Sequence, residues 1–274
     1  MQSVFGKTVL ITGAAMGMGK IFAQLAVDEQ AAAVVVWDIN EAALNATVAE
    51  LRARGGKVYP YIVDVSKLES IRDAAARVCI DAGNIDILIN NAGIVRGKYF
   101  WEHDPAGDIW PTMAINALAP MYITREFIPA MIDGGRECRV LNIVSAAALV
   151  SNPRMSVYCA SKWSAFGWSD SLRLELKQAG YKHVRVTTVC PGYVSTGMFQ
   201  GVKAPLMTPI LKPEQVVKRA WNAMKAGKPM LMMPWTIRAT VVAKGLPLFM
   251  WDFIADKVFG VYHTMESFKG HPNP

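Results

Sequence analysis

Short apolar runs alternate with stretches of helical spacing along most of this chain, and that alternation restricts the fold more than any other feature. The runs Thr8–Ile11, Ala33–Trp37, Val58–Val63, Ile87–Ile89, Arg139–Val144, Arg185–Val189 and Met230–Met233 are mostly continuous rather than alternating. A strand with one wet face alternates apolar and polar residues, whereas a continuous run suits a strand covered on both faces. Between them lie Gly19–Asp28, Glu41–Arg54, Leu68–Ala82, Pro111–Ile132, Tyr158–Gln178 and Pro213–Ala226. Stripes such as Leu44, Val48 and Leu51, or Ile71, Ala75 and Val78, mark the core faces of these helices. Strand and helix alternating through right-handed crossovers give an α/β fold, a doubly wound parallel sheet with helices on both faces. With 52% hydrophobic residues and no linker or repeat, residues 1–274 are expected to form a single domain.

The first strand runs into Thr12-Gly13-Ala14-Ala15-Met16-Gly17-Met18-Gly19, and a helix follows. The glycines read GxxxGxG rather than GxGxxG, and Gly19-Lys20 is followed by Ile21, which rules out an ATP-type phosphate loop. In this context Gly13, Ala15, Met16, Gly17, Met18 and Gly19 are candidate dinucleotide contacts. Glycine lets backbone approach a pyrophosphate, and the helix start offers amides and the positive end of a dipole. Asp38 closes the second strand, where a carboxylate would hydrogen-bond both adenosine ribose hydroxyls. A 2′-phosphate would meet that carboxylate with no basic residue at positions 16, 37, 39 or 40, so NAD(H) is expected over NADP(H). The alternative is that Asp38 caps a helix ahead of Glu41. Asn90-Asn91-Ala92-Gly93, after the fourth strand, suits packing across the adenine and ribose.

Tyr158 and Lys162 stand one helical turn apart, thirteen residues beyond Ser145. An ammonium near a phenol favours the phenolate and could draw a tyrosine pKa down from roughly 10. A phenol poised in this way exchanges protons near neutral pH, as general acid–base catalysis requires.

Together these residues resemble the short-chain dehydrogenase/reductase family over roughly residues 5–200. The resemblance rests on Thr12 to Gly19, Asp64-Val65, Asn90 to Gly93, Asn116, Ser145, Tyr158-Cys159-Ala160-Ser161-Lys162, and Pro191-Gly192 followed by Thr196. It implies a Rossmann-type fold and four catalytic residues. Tyr158 would be the acid/base, and Ser145 would steady the substrate oxygen. Lys162 would hold the nicotinamide ribose and lower the Tyr158 pKa. Asn116, through a helix kink and water, would connect Lys162 to solvent. Asp64 and Val65 would flank adenine, Asn91, Ala92 and Gly93 the adjacent ribose, and Pro191, Gly192, Val194 and Thr196 the nicotinamide. Homodimers or homotetramers, through the helices at Pro111–Ile132 and Tyr158–Gln178, are part of the same expectation. Glu29-Gln30-Ala31 departs from the pattern by lacking the glycine usual between first helix and second strand.

The tail Val261-Tyr262-His263-Thr264-Met265-Glu266-Ser267-Phe268-Lys269-Gly270 is similar to that of retinol and 17-beta-hydroxysteroid dehydrogenases. That implies a lipophilic or bulky alcohol and its ketone or aldehyde as substrates. Gly197–Pro209 would then be a substrate lid, and 197–274 as a whole lid and apolar extension. Leu246, Phe249, Met250, Phe253 and Ile254 fit one helix face, expected to be buried against this chain or its copy, with a pocket wall or peripheral membrane contact as alternatives. Charges and prolines interrupt the segment too often for a transmembrane helix. A 3-oxoacyl thioester reductase is the rival enzyme, disfavoured by Asp38 because NADP(H) is usual there. The rival of another class, an NAD(H)-binding sensor or scaffold, commonly lacks the Tyr or Lys.

Lys and Arg are scattered despite the net charge of +7, so nucleic acid is not an expected partner. Cys79, Cys138, Cys159 and Cys190 form no CxxC pair, and no metal is expected. His103, His183, His263 and His271 read as surface or loop residues. No signal peptide is visible before the first strand, so the cytoplasm is the expected compartment.

Overall fold

A computed structural model of the chain describes residues 1–270, so His271 lies outside the described residues. Seven parallel strands form one sheet in the order β3-β2-β1-β4-β5-β6-β7. They are β1 Thr8–Thr12, β2 Ala33–Asp38, β3 Val58–Ile62, β4 Ile87–Asn90, β5 Cys138–Ile143, β6 Val184–Pro191 and β7 Met230–Met233. The fully buried runs of β1, β4 and β5 are those whose sequences lack alternation. Strand order reverses between β1 and β4, which opens a crevice beyond the carboxyl ends of those strands.

Helices α1 Gly17–Asp28, α2 Glu41–Ala53 and α7 Pro213–Ala226 share one apolar core, in which Phe22 meets Trp221 with ring centroids 6.2 Å apart. On the opposite face α3 Leu68–Asp81, α5 Ala119–Asp133 and α6 Ser156–Gln178 close a second core, with Trp37 against Phe127 at 6.0 Å. Each such aromatic contributes about 1.5–3 kcal/mol through removal from water.

The single helix expected over Pro111–Ile132 is interrupted: α4 covers Trp110–Met113, a π-helical turn covers Ala114–Leu118, and α5 follows. Pro120 supplies the reason, since it has no N–H for the carbonyl four residues back, that of Asn116. Beyond β7 come α8 Thr236–Ala243 and α9 Leu248–Phe253, and Trp251 of α9 and Ala255 of the turn after it are buried against Val150. Within one chain that apolar face is largely exposed, Phe249 at 76% and Phe253 at 63%, so it is not buried against this chain.

The turn lacking glycine is kept by Gln30 itself, whose φ is +57°. Its carbonyl accepts from Gly6 N at 3.1 Å.

Candidate active site

The glycine turn sits at the crevice with its backbone already tied down. Gly13 has φ +64°, and a Cβ there would come within 2.9 Å of Ala92 Cα. A Cβ on Gly19 would overlap the Gly13 carbonyl, so α1 can start this close to β1 only with glycine there. Asn91 Nδ2 donates to the carbonyls of Thr12 and Gly13 at 3.0 and 3.1 Å, and Thr12 Oγ1 accepts from the amides of Asn91 and Ala92, both at 3.1 Å. Met16 precedes α1 without a side-chain cap, and the first turn carries no acid. The first amides of α1, at Gly17 and Met18, therefore have no side-chain partner at the helix start.

Asp38 ends β2 with Oδ2 accepting from Ala15 N at 2.9 Å and Oδ1 from Asn40 N at 3.0 Å. The helix cap is Asn40, whose Oδ1 accepts from Ala43 N at 3.0 Å. Asp38 is thus a fixed acceptor beside the glycine turn, with lone pairs to spare. Asp64 and Val65 follow β3, half-buried, the Asp64 carboxylate accepting from Ser66 Oγ at 2.6 Å. This cradle of open amides and oriented acceptors fits an adenosine ribose and a pyrophosphate.

Across the crevice, Ser145 caps a short 3₁₀ turn after β5, its Oγ accepting from Ala147 N at 3.1 Å. Tyr158 and Lys162 project from α6, and both are buried. Lys162 Nζ donates to the Ile143 carbonyl at 3.2 Å and lies 5.8 Å from the Tyr158 ring centroid. A Cβ on Gly93 would come within 3.5 Å of that amine and 3.2 Å of Asn116 Oδ1, so the chain after β4 passes directly over both.

Here the expectation of a partly ionised phenol fails for the protein alone. Burial pushes the Tyr158 phenol well above its ordinary value, opposed by the Ser145 side chain. Burial also draws the Lys162 ammonium down to about 8. Desolvation in a pocket walled by Phe199, 6.0 Å away and edge-on to the Tyr158 ring, outweighs the attraction of an amine that is committed to a main-chain carbonyl.

Asn116, in the π turn, is wholly engaged: Oδ1 accepts from Ile94 N at 2.9 Å, while Nδ2 donates to Ile94 O at 2.9 Å and Ser161 Oγ at 3.1 Å. Ser161 Oγ in turn donates to the Tyr158 carbonyl at 2.7 Å. Ser161 is therefore a site-supporting residue that motif reading passed over; its position three residues after Tyr158, on the same helix face, was the available signal. Under the site, Asn90, Asn142, Ser169 and Thr188 form a buried chain of side-chain hydrogen bonds of 2.7–2.8 Å across β4, β5 and β6.

Pro191, Gly192, Val194 and Thr196 follow β6. Gly192 N donates to Met233 O at 2.7 Å, and the Thr196 side chain lies 3.7 Å from where a Gly17 Cβ would be, which joins the two ends of the crevice. A largely apolar cavity opens beside Ser145, walled by Val150, Met155, Tyr193, Phe199, Ile237 and Val261. Its polar edge is also new: Asn152 Nδ2 donates to Tyr193 Oη at 2.9 Å and to Thr264 Oγ1 at 2.7 Å.

The described histidines lie in loops or at the surface, as expected. His103 is a buried loop residue, with Nδ1 3.6 Å from Asp108 Oδ2; His183 is half-buried, 3.0 Å from the Ile132 carbonyl; His263 is exposed. Among the described residues no His, Cys, Asp and Glu group could hold a metal ion, and no helix is long and apolar enough to cross a membrane.

A short chain dehydrogenase family model matches residues 7–206. Retinol dehydrogenase 10-B of Danio rerio is 36% identical over 93% of this chain and 84% of its own length. Estradiol 17-beta-dehydrogenase 11 of Macaca fascicularis is 36% identical over 90% of this chain and 81% of its own. Among solved structures, a short chain dehydrogenase/reductase from Burkholderia phymatum in complex with NAD is similar, with a TM-score of 0.81 and 26% identity over 89% of this chain and 95% of that one. A metagenomic short-chain oxidoreductase in complex with NADP matches with a TM-score of 0.71 and 28% identity, over 84% of this chain and 98% of that one.

Proposed function

The chain belongs to the short-chain dehydrogenase family, and from that premise we propose that it interconverts a lipophilic alcohol and its ketone or aldehyde with NAD(H). The observation that carries this reading is an apolar cavity lined by Ser145 and by Phe199, which stands against Tyr158, with Lys162 on the far side beneath Gly93 towards the glycine turn. That the curated relatives are named for retinol and estradiol, two lipophilic alcohols, supports the substrate class.

A bound nicotinamide dinucleotide would supply or accept the hydride. Gly13 to Gly19, Asp38, Asp64, Val65 and Asn91 to Gly93 would hold its adenosine end; Lys162 and Pro191 to Thr196 would hold the other. Asp38 supports NAD(H), because a 2′-phosphate would meet its fixed carboxylate at close range. Tyr158 keeps its proton at neutral pH, the form needed to donate to a carbonyl oxygen during reduction. Ser145 would donate to that same oxygen as charge develops on it. In the oxidative direction the phenol must first lose its proton, so turnover should climb with alkalinity. Lys162 would favour that loss, and Asn116 would position Lys162 from beneath Gly93. The loop 197–209 would close the cavity as a lid. The exposed Trp110, Trp163 and Leu174 support homo-oligomers through the helices that carry them.

The test is to follow NADH or NADPH absorbance with retinol, steroid alcohols, long-chain alcohols and small secondary alcohols. Turnover of the bulky apolar members with NAD, faster than with NADP, is expected. Well-folded protein that is silent with every substrate and both cofactors would sink the proposal.

A further inference from the structure

The elements that wall the cavity have a second, outward face. On α8, Ile237 and Thr240 line the cavity while Trp235 and Val242 stand 68% and 80% exposed. On the loop before α7, Phe199, Pro205 and Thr208 line it, and Leu206 and Met207 face outward. The two elements are joined by the Thr208 and Thr236 hydroxyls at 3.2 Å, and Leu206 N donates to Phe259 O at 3.0 Å just beyond α9. On α9, Leu248, Phe249 and Phe253 continue the exposed apolar surface. Apolar side chains exposed singly are ordinary, but a contiguous run rimming a cavity marks a contact with something apolar.

Charge says what that something is. The elements that bear the patch, the 197–210 loop and residues 234–258, hold four cations, Lys203, Arg238, Lys244 and Lys257, against two acids, Asp252 and Asp256. Arg238 and Lys203, exposed on the elements that bear the patch, form no ion pair among the described residues. The acids of the region are engaged: Asp252 accepts from Tyr262 Oη at 2.6 Å, and Asp256 lies 2.7 Å from His263 and 2.8 Å from Lys257. Unpaired cations around exposed Trp, Phe and Leu match an anionic lipid interface, where the rings enter the headgroup boundary and the cations meet phosphate.

We propose that this lip docks on an anionic phospholipid surface, so that a water-insoluble substrate can pass between the bilayer and the cavity without crossing water. The passage of substrate rests on the function proposed above; the docking does not. The test is flotation of the full chain with phosphatidylcholine vesicles, with and without phosphatidylserine, compared with a Leu248→Ser, Phe249→Ser, Phe253→Ser variant and with Arg238→Glu. The wild type should float with the anionic vesicles, less so as salt is raised. The triple variant should lose at least about tenfold in partitioning, with unchanged NADH binding, thermal midpoint and turnover of a small soluble alcohol. Arg238→Glu should weaken flotation without touching the apolar face. No flotation, or equal flotation with neutral vesicles, overturns the proposal. So does a dimer in light scattering that the triple variant dissociates, because a second copy would then cover the face. Flotation needs no turnover, so it stands or falls apart from the enzymatic reading.

Discussion

The nucleotide side and the substrate side of this crevice solve opposite problems. Around Gly13 and Asp38 the turn carbonyls and the Asp38 carboxylate are fixed by side chain–backbone hydrogen bonds, leaving oriented donors and acceptors open, and apolar surface is inside. Around Phe199 and α9 large apolar side chains face outward, and the polar contacts are few and made by side chains. The first region is built to present fixed donors and acceptors to a polar ligand; the second is built to be repacked around an apolar one. Rigidity on one side and adaptability on the other should therefore show up as different mutational signatures.

The largest effect should come from Tyr158→Phe, which sits where the two sides meet. It should lower kcat by about 10²–10⁴-fold, the range for losing a general acid–base group, while NADH binding by fluorescence titration stays near wild type. Lost binding with normal folding would show that the phenol serves the nucleotide side instead. Next comes Gly19→Ala, which forces a methyl into the Gly13 carbonyl. The turn must shift, costing about 1–3 kcal/mol in thermal unfolding, with cofactor affinity falling in parallel. An unchanged affinity would mean that the nucleotide side is less rigid than its hydrogen bonds imply.

Lys162→Met tests what the site costs the fold. The buried ammonium has one hydrogen bond, to Ile143, and its folded pKa of about 8 lies below its ordinary value. The folded state thus binds this proton less tightly, so the penalty is fully present below about pH 8 and fades as pH rises towards the ordinary lysine value. Replacement should abolish turnover and raise stability at pH 7 by about 1–3 kcal/mol, with the gain disappearing near pH 10. A variant less stable at pH 7 would mean that the amine holds the site together.

On the apolar side, Phe199→Ala removes a ring that meets Tyr158 at 6.0 Å and Tyr193 at 5.2 Å. It should raise KM for a bulky alcohol by roughly tenfold and leave a small secondary alcohol almost unaffected. Equal losses with both would place Phe199 in support of Tyr158 rather than in substrate fit.

How much of this was legible follows the same division. All seven strands were readable, the inner ones because a doubly covered strand is continuously apolar and the edge strands β3 and β7 as short apolar runs, and the glycine turn and Asp38 were readable because their spacing is local. The ionisation of Tyr158 was not: it depends on how Phe199 and Ile143, distant in sequence, surround the pair. The kink at Asn116 was expected from the family resemblance, and Pro120 gives it a local cause, since its missing N–H is read directly from the sequence. The buried bridge from Asn142 to Ser169 could not, because those positions meet only once β5 and α6 pack. Nor could the outward turn of α9, whose spacing gives an apolar face but not the side of the molecule it joins.

The smallest effect probes the one turn where the nucleotide side breaks its own pattern. Among the described residues, three other than glycine have positive φ: Gln30, Arg154 and Met207. Arg154 recovers some of that cost by stacking over Tyr99 at 4.3 Å. Gln30 is exposed and only its backbone is used, receiving Gly6 N and donating to Val27 O. A left-handed conformation costs a side chain about 1–2 kcal/mol relative to glycine, and the extra freedom glycine brings to the unfolded chain offsets about 0.4–1 kcal/mol of the gain. Gln30→Gly should therefore stabilise by roughly 0.5–1 kcal/mol, read as a higher denaturant midpoint with an unchanged slope. Arg154→Gly should gain nothing or lose stability, because the same relief is set against a lost stack. If the two behaved alike, backbone strain would outweigh side-chain contact on both sides of the crevice, and the contrast between a fixed half and an adaptable half would fail where it is most local.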